Sequence, residues 1–110
     1  MNLRHALLFT SLLCAAPLAL ADADADVDGQ ALYKEHCAKC HGSDGLATTW
    51  RGYLFFARDF VDADWQQRQT DARILRRIND GPGIMPAFEK SLTLAEREAL
   101  VQGVRSFRPQ

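Results

Sequence analysis

The chain has 110 residues, in which 13 Lys and Arg nearly balance 14 Asp and Glu. This balance excludes the strong positive charge of a nucleic-acid-binding protein and the charge block of an acidic tail. The length suits one domain, for which hydrophobic burial alone gives a core of marginal stability.

Residues 1–21 are predicted to be a secretory signal peptide. Arg4 supplies a positive charge, Ala6 to Leu20 is almost entirely apolar, and Ala19-Leu20-Ala21 places small residues where a signal peptidase cleaves. Cleavage two or four residues later satisfies the same rule. The apolar stretch is shorter than the roughly 20 residues of a membrane-spanning helix, which disfavours a retained membrane anchor. We therefore predict that the signal peptide is cleaved near Ala21 and that the protein is periplasmic.

The folded domain is predicted to span residues 28–110, after a disordered acidic leader at residues 22–27. Asp28 is a good N-cap for a first helix that continues through Lys34. Gly29 and Tyr33 are four residues apart and therefore share one face of this helix.

The stretch Cys37-Ala38-Lys39-Cys40-His41 has the C-x-x-C-H spacing of covalent haem c attachment. On a helical turn the two cysteines lie on one face, as two thioether bonds require, and His41 follows as the proximal iron ligand. A redox dithiol, half of a zinc site and a structural disulfide are the alternatives. Cys14 leaves with the signal peptide, so a zinc site lacks ligands, and a dithiol lacks its βαβ context. His36 is predicted to be exposed and not a ligand.

Residues 46–69 carry many aromatic side chains but no sustained helical or alternating period. We predict an irregular loop folded over the haem edge, with a membrane-interface role as the alternative. Arg51 and Arg58 are candidate partners of a haem propionate, although solvent-facing arginines are an equal expectation. The large apolar residues of this stretch are Trp50, Tyr53, Leu54, Phe55, Phe56, Phe60 and Trp65.

A second helix is predicted over Thr70–Asp80, capped by Thr70 and stopped by Gly81-Pro82-Gly83. Ile74, Leu75 and Ile78 form its apolar face. Arg73, Arg76 and Arg77 lie together on the opposite face, which is either a docking surface for an acidic partner or an ordinary solvated face.

Met85 is the only methionine that remains after export, and it lies in a loop rich in glycine and proline. A lone methionine commonly fills a gap in a core. Here the flanking residues fix an extended loop, which could hold the thioether against haem iron.

A last helix begins at the capping box Thr93-x-x-Glu96 and continues to Phe107. Leu100, Val104 and Phe107 form an apolar stripe that is able to meet Gly29 and Tyr33 of the first helix.

Residues 28 to 108 resemble the class I (monohaem) c-type cytochromes through the C-x-x-C-H motif, the Gly29/Tyr33 pair and the Met85-Pro86 loop. The resemblance implies an all-α fold of three to four helices around one covalently bound haem c. It also implies that the first helix crosses the last, and that His41 and Met85 are the proximal and distal iron ligands. Many members carry an aromatic residue where this chain has Gly103, so either the crossing is looser or Phe107 compensates.

The function that this resemblance implies is one-electron transfer in the periplasm, without catalysis by the protein itself. A periplasmic dehydrogenase would donate electrons and a terminal reductase or oxidase would accept them. Two alternatives are a haem subunit of a larger periplasmic oxidoreductase, and a gas- or peroxide-binding protein in which Met85 is labile. Neither nucleic acid nor stable membrane insertion after cleavage is expected.

Overall fold

The computed structural model describes residues 27–110. The predicted signal peptide at residues 1–21, and all of the predicted acidic leader except Val27, lie outside the described residues. Within residues 27–110 no helix is long and apolar enough to cross a membrane.

The described residues form six helices and no strand, which confirms the all-α class. The three longest helices are the three that the sequence predicts, and three shorter ones raise the number above the expected three to four. The helices are α1 (Gly29–His36), α2 (Ala38–His41), α3 (Trp50–Phe55), α4 (Ala63–Arg68), α5 (Asp71–Asp80) and α6 (Leu94–Arg105).

The predicted starts of the three long helices are confirmed. The Asp28 carboxylate accepts hydrogen bonds from the backbone N–H groups of Gln30 and Ala31, and the Thr70 hydroxyl accepts one from Arg73. Thr93 and Glu96 form both bonds of a capping box. Each side chain satisfies N–H groups that have no partner inside their helix, which fixes the residue at which the helix begins.

The prediction of an irregular loop over residues 46–69 is wrong, because the stretch contains α3 and α4. Thr49 caps α3 and Asp62 caps α4 through their side-chain oxygens. Each helix has only six residues, so neither is long enough to repeat an apolar face. Phe56 ends α3 in the left-handed region (φ 54°), a conformation that is uncommon for a residue with a side chain.

Helices α1 and α6 cross at backbone contact. A Cβ added to Gly29 would overlap the carbonyl oxygen of Ala99, and one added to Gly103 would lie 2.8 Å from the carbonyl oxygen of Gly29. The expectation of a looser crossing at Gly103 is therefore wrong. The Phe107 ring instead packs on the Tyr33 ring at a centroid distance of 4.9 Å, as the alternative prediction of compensation required.

The core joins this crossing to α5 and to the connecting segments. Ile74 and Ile78 of α5 are buried, as the predicted apolar face requires. Buried side chains from α1, α5, α6 and the segments between them form one hydrophobic cluster, and Met85 packs against it from its loop. The cluster contains Tyr33, Cys37, Phe60, Trp65, Ile74, Ile78, Phe88, Leu100, Val101 and Val104. One continuous core thus connects the haem motif with the Met85 loop.

Candidate haem site

The C-x-x-C-H motif occupies the junction between α1 and α2. Cys37 ends α1 by donating its backbone N–H to the carbonyl oxygen of Tyr33 (2.8 Å). Its own carbonyl oxygen then accepts from the N–H groups of Cys40 (3.2 Å) and His41 (3.0 Å). Both cysteines have free thiols, and burial, followed by the charge of Cys40, raises the pKa of the Cys37 thiol to about 12. The motif therefore has the helical-turn geometry predicted from its spacing.

The His41 imidazole is held at its edge and at its face. Its Nδ1–H donates to the carbonyl oxygen of Arg58 (2.8 Å), and its ring stacks on Phe60 at a centroid distance of 4.3 Å. Because a carbonyl can only accept, Nδ1 carries the proton and Nε2 has the free lone pair. Burial lowers the pKa of His41, although the hydrogen bond to the Arg58 carbonyl partly opposes this effect. The arrangement suits a neutral imidazole that binds iron through Nε2.

Tyr33 stabilises the turn that follows His41. Its hydroxyl donates to the carbonyl oxygen of Gly42 (2.8 Å) in a buried position. Burial is the main cause that raises the pKa of Tyr33, and nearby negative charge on Cys37 and Asp44 adds to it. The sequence predicted Tyr33 as a helix-crossing residue, but this hydrogen bond to the haem motif has no sequence signal.

Helix α3 lies directly against the motif. The Thr49 hydroxyl donates to the carbonyl oxygen of Cys40 (2.8 Å) while it accepts the N–H of Gly52 (2.8 Å). A Cβ on Gly52 would lie 2.6 Å from the same Cys40 oxygen, so only glycine permits this approach. Sequence reasoning missed both residues. The signal that was available for Thr49 is its position as an N-cap candidate before an aromatic run.

Met85 is half-buried in the loop between α5 and α6. Gly81 ends α5 in the left-handed region, and a Cβ there would lie 2.5 Å from the carbonyl oxygen of Met85. The Phe88 N–H donates to the carbonyl oxygen of Ile78 (3.0 Å), which joins the far end of the loop to α5. The loop is thus constrained at both ends, as its glycines and prolines predicted.

The remaining candidate residues have varied surroundings. The prediction that His36 is exposed is wrong, since it is half-buried with its ring edge-on to Phe88. The Arg51 guanidinium lies over the Trp50 ring, 4.4 Å from its centroid, and Arg58 contributes the carbonyl that accepts from His41. A propionate role for Arg51 or Arg58 stays a prediction. The three arginines of the predicted docking face, which are Arg73, Arg76 and Arg77, are exposed on α5.

The donor set fits haem c better than a bare metal ion. Two free thiols, an imidazole with its Nε2 available and a thioether are the groups with which proteins hold haem c and its iron. Within residues 27–110, no three His, Cys, Asp or Glu side chains cluster in a way that could hold a metal ion. Exposed apolar side chains on α3 and in the Met85 loop suit the large apolar ring of a haem; they include Trp50, Tyr53, Leu54, Phe56 and Ile84.

An all-helical fold around such a motif defines a small c-type cytochrome. The family described as cytochrome c oxidase, cbb3-type, subunit III matches residues 24–102, and this chain belongs to that family. The chain is therefore a c-type cytochrome with one covalently bound haem c.

A curated oxidase subunit is similar in sequence to this chain. The chain is 32% identical over 80 residues to the Cbb3-type cytochrome c oxidase subunit CcoP of Azospirillum brasilense. That match covers 72% of this chain but only 27% of the relative, so the chain spans about a quarter of the length of CcoP.

Two solved structures match this fold along the whole of their own chains. The KustC0563 c-type cytochrome superposes with a TM-score of 0.69 at 45% identity, covering 76% of this chain and 100% of its own. A point mutant of that cytochrome gives a TM-score of 0.67 at 44% identity, covering 74% of this chain and 100% of its own.

Proposed function

We propose that this protein is a periplasmic one-electron carrier whose haem is attached at Cys37 and Cys40 and ligated by His41 and Met85. The observation that carries the proposal is the hydrogen bond from His41 Nδ1 to the Arg58 carbonyl, which leaves the lone pair of Nε2 available to bind iron. When bound, the haem supplies reversible one-electron chemistry between Fe(III) and Fe(II).

The chain supports the proximal side through two fixed contacts to His41. The Arg58 carbonyl holds the Nδ1 proton, and Phe60 restricts rotation of the ring by stacking on it. Cys37 and Cys40 lie on the helical turn that ends in His41, so covalent attachment would hold the ring beside the imidazole. An oriented ligand needs little rearrangement when iron changes oxidation state, which suits rapid electron transfer.

Met85 is the distal ligand in this proposal. Its thioether is half-buried against the hydrophobic cluster, in a loop that Gly81 and the Phe88–Ile78 hydrogen bond constrain. A thioether favours Fe(II) and raises the reduction potential. With His41 and Met85 both bound to iron, the haem would have no free position for a substrate and would supply only electron exchange with redox partners.

The partners in this proposal are a periplasmic dehydrogenase as donor and a terminal reductase or oxidase as acceptor. Export through the predicted signal at residues 1–21 would bring the protein to the compartment where they meet. The exposed Arg73, Arg76 and Arg77 would meet an acidic partner, since complementary charge raises association rates. Reversing all three to Glu should slow electron transfer at low salt if this face is used.

A second candidate is a haem subunit of a larger periplasmic oxidoreductase. It is favoured by the match to a named oxidase subunit that is several times longer than the matched segment. Purifying the protein from its native membrane and soluble fractions separates the two roles. A free monomer supports the carrier, whereas stable co-purification with other redox subunits supports the subunit role.

The test of Met85 is the optical spectrum of the ferrous protein before and after addition of carbon monoxide. The wild type should not change, whereas Met85→Ala should bind carbon monoxide because it opens the distal position. Glu89→Ala is the control, since Glu89 is exposed in the same segment between α5 and α6 and should leave the protein inert. Rapid binding by the wild type would instead favour the gas- or peroxide-binding alternative. An inert Met85→Ala protein would mean that another residue is the distal ligand.

A further inference from the structure

Gln66 is the most buried polar side chain among residues 27–110, with only 1% of its surface exposed. Gln66 lies on α4, and its side-chain Nε2 donates one hydrogen bond to the carbonyl oxygen of Phe60 (2.8 Å) and another to that of Val104 (3.0 Å). Both donors of the amide are therefore used, and they join α4 to two other parts of the chain.

Arg105 of α6 fixes the orientation of this amide. Its Nη1 donates to the side-chain oxygen of Gln66 (3.0 Å) and to the backbone oxygen of the same residue (2.7 Å). Its Nη2 donates to the carbonyl oxygen of Gln69 (2.6 Å), and its Nε donates to the carboxylate of Asp71 (2.7 Å). A flipped amide would place its oxygen against two carbonyl oxygens, so the network permits one orientation only.

The Phe60 carbonyl belongs to the segment that holds His41. The Phe60 N–H donates to the carbonyl oxygen of Gly45 (2.8 Å), while its ring stacks on the His41 imidazole. Two residues earlier, the Arg58 carbonyl accepts the Nδ1 proton of His41. Gln66 thus anchors, through the Phe60 carbonyl, the segment that contacts both the edge and the face of the His41 imidazole.

We propose that Gln66, held by Arg105, is a positioning residue that sets the hydrogen bond between His41 and the Arg58 carbonyl and thereby tunes the reduction potential. This inference rests on the proposed role of His41 as proximal ligand. Donation of the Nδ1–H to a carbonyl increases the electron density of the imidazole, which stabilises Fe(III). A segment released at Phe60 weakens that bond, so the reduction potential rises.

The test is Gln66→Met in the haem-loaded protein, because methionine has a similar length but no N–H donor. We expect a higher reduction potential, about tenfold faster solvent exchange of the His41 Nδ1 proton and an altered haem-methyl pattern in the ferric NMR spectrum. Gln67→Met is the matched control, since Gln67 is the exposed neighbour on α4 and should change none of the three.

Two further variants separate positioning from a general loss of stability. Ile74→Val removes a buried methyl group from α5 and should lower the free energy of unfolding without affecting the potential or the exchange rate. Gln66→Glu keeps an oxygen for Arg105 but places a second oxygen against the carbonyl oxygens of Phe60 and Val104, so it should accelerate exchange more than Gln66→Met does.

The outcomes distinguish the positioning role of Gln66 from the role of His41 as the iron ligand. Unchanged exchange and potential in the Gln66 variants, or equal changes in Ile74→Val, would overturn the positioning role while leaving His41 as the ligand. A wild-type spectrum without a signal of an iron-bound His41 would instead overturn the proposed function, and this inference with it.

Discussion

The two sides of the molecule differ in how the polypeptide covers its own apolar surface. Where α1 crosses α6 beside α5, Leu100 is 0% exposed and Tyr33 only 2%. On α3 and at its end, Tyr53 is 70% exposed and Phe56 is 92% exposed. The helix crossing is complete within the chain, whereas α3 presents large apolar groups outward. A covered apolar surface stabilises the fold, whereas a large exposed apolar surface is typical of a region that binds another molecule.

The two regions meet at the haem motif. Tyr33 belongs to the packed region and donates to Gly42, while Thr49 begins α3 and donates to Cys40. The motif is therefore held from both sides by hydrogen bonds to its backbone. Substitutions in either region should reach the haem site, but with different size and selectivity.

The largest effect is expected when the covalent attachment is removed at the haem motif, where the two regions meet. Cys37→Ala/Cys40→Ala should retain no haem on a denaturing gel stained for haem. It should also lose most of its helical circular dichroism, because a core of this size is marginal without the haem. Cys14→Ala is the control, since Cys14 lies in the predicted signal peptide and should not affect attachment. Haem retained by the double variant would contradict the attachment site.

The next largest effect is expected from a substitution that disrupts only the packed crossing of α1 and α6. Gly29→Ala places a Cβ against the backbone carbonyl of Ala99, and we expect a loss of about 3 kcal/mol in the free energy of unfolding. Gly83→Ala is the comparison in the Met85 loop, where no atom lies within 4 Å of an added Cβ. Only its left-handed backbone opposes the substitution, at a cost of about 1 kcal/mol. Denaturant unfolding measures both, and equal losses would mean that the crossing can relax.

Smaller losses of stability are expected when either of two threonine caps is removed, one in each region. Thr93→Ala removes the capping box of α6 and should cost about 1 kcal/mol. Thr49→Ala removes the cap of α3 and also leaves the Cys40 carbonyl without its hydroxyl donor, so about 2 kcal/mol is expected. Only Thr49→Ala should also shift the optical spectrum of the haem. A shift of equal size in Thr93→Ala would contradict the selective contact of α3 with the motif.

The smallest effect concerns pH. Burial lowers the pKa of His41 below its usual 6.5, and iron in the haem-loaded protein would occupy the same Nε2 lone pair, so the unfolded chain binds a proton there more readily than the folded chain. Stability is therefore full above pH 6.5 and should decline as the pH falls below it. Urea unfolding at about pH 7.5 and about pH 5.5 measures the decline. His36→Gln should retain this dependence, and a wild type equally stable at both values would contradict it.

The local features of the fold could be predicted from the residue order alone. The spacing of Cys37, Cys40 and His41 predicted a helical haem motif, and Asp28, Thr70 and Thr93 predicted the starts of the three long helices. These predictions succeeded because a cap or a motif depends on residues only a few positions apart. The all-α class followed from the same local patterns, together with the resemblance to class I cytochromes. Met85 as a ligand stays a prediction.

Only the tertiary structure decided which distant groups meet. The carbonyl of Arg58 receives the His41 proton and the carbonyl of Phe60 receives Gln66, yet every residue has a carbonyl and no residue type marks these two. Gly103 looked like a missing aromatic, but the α1–α6 crossing uses it for backbone contact with Gly29. Helices α3 and α4 are too short to repeat a pattern. Their caps, Thr49 and Asp62, are local features of the sequence, but so short a helix also depends on packing against the motif and the core, which the linear order of residues does not contain.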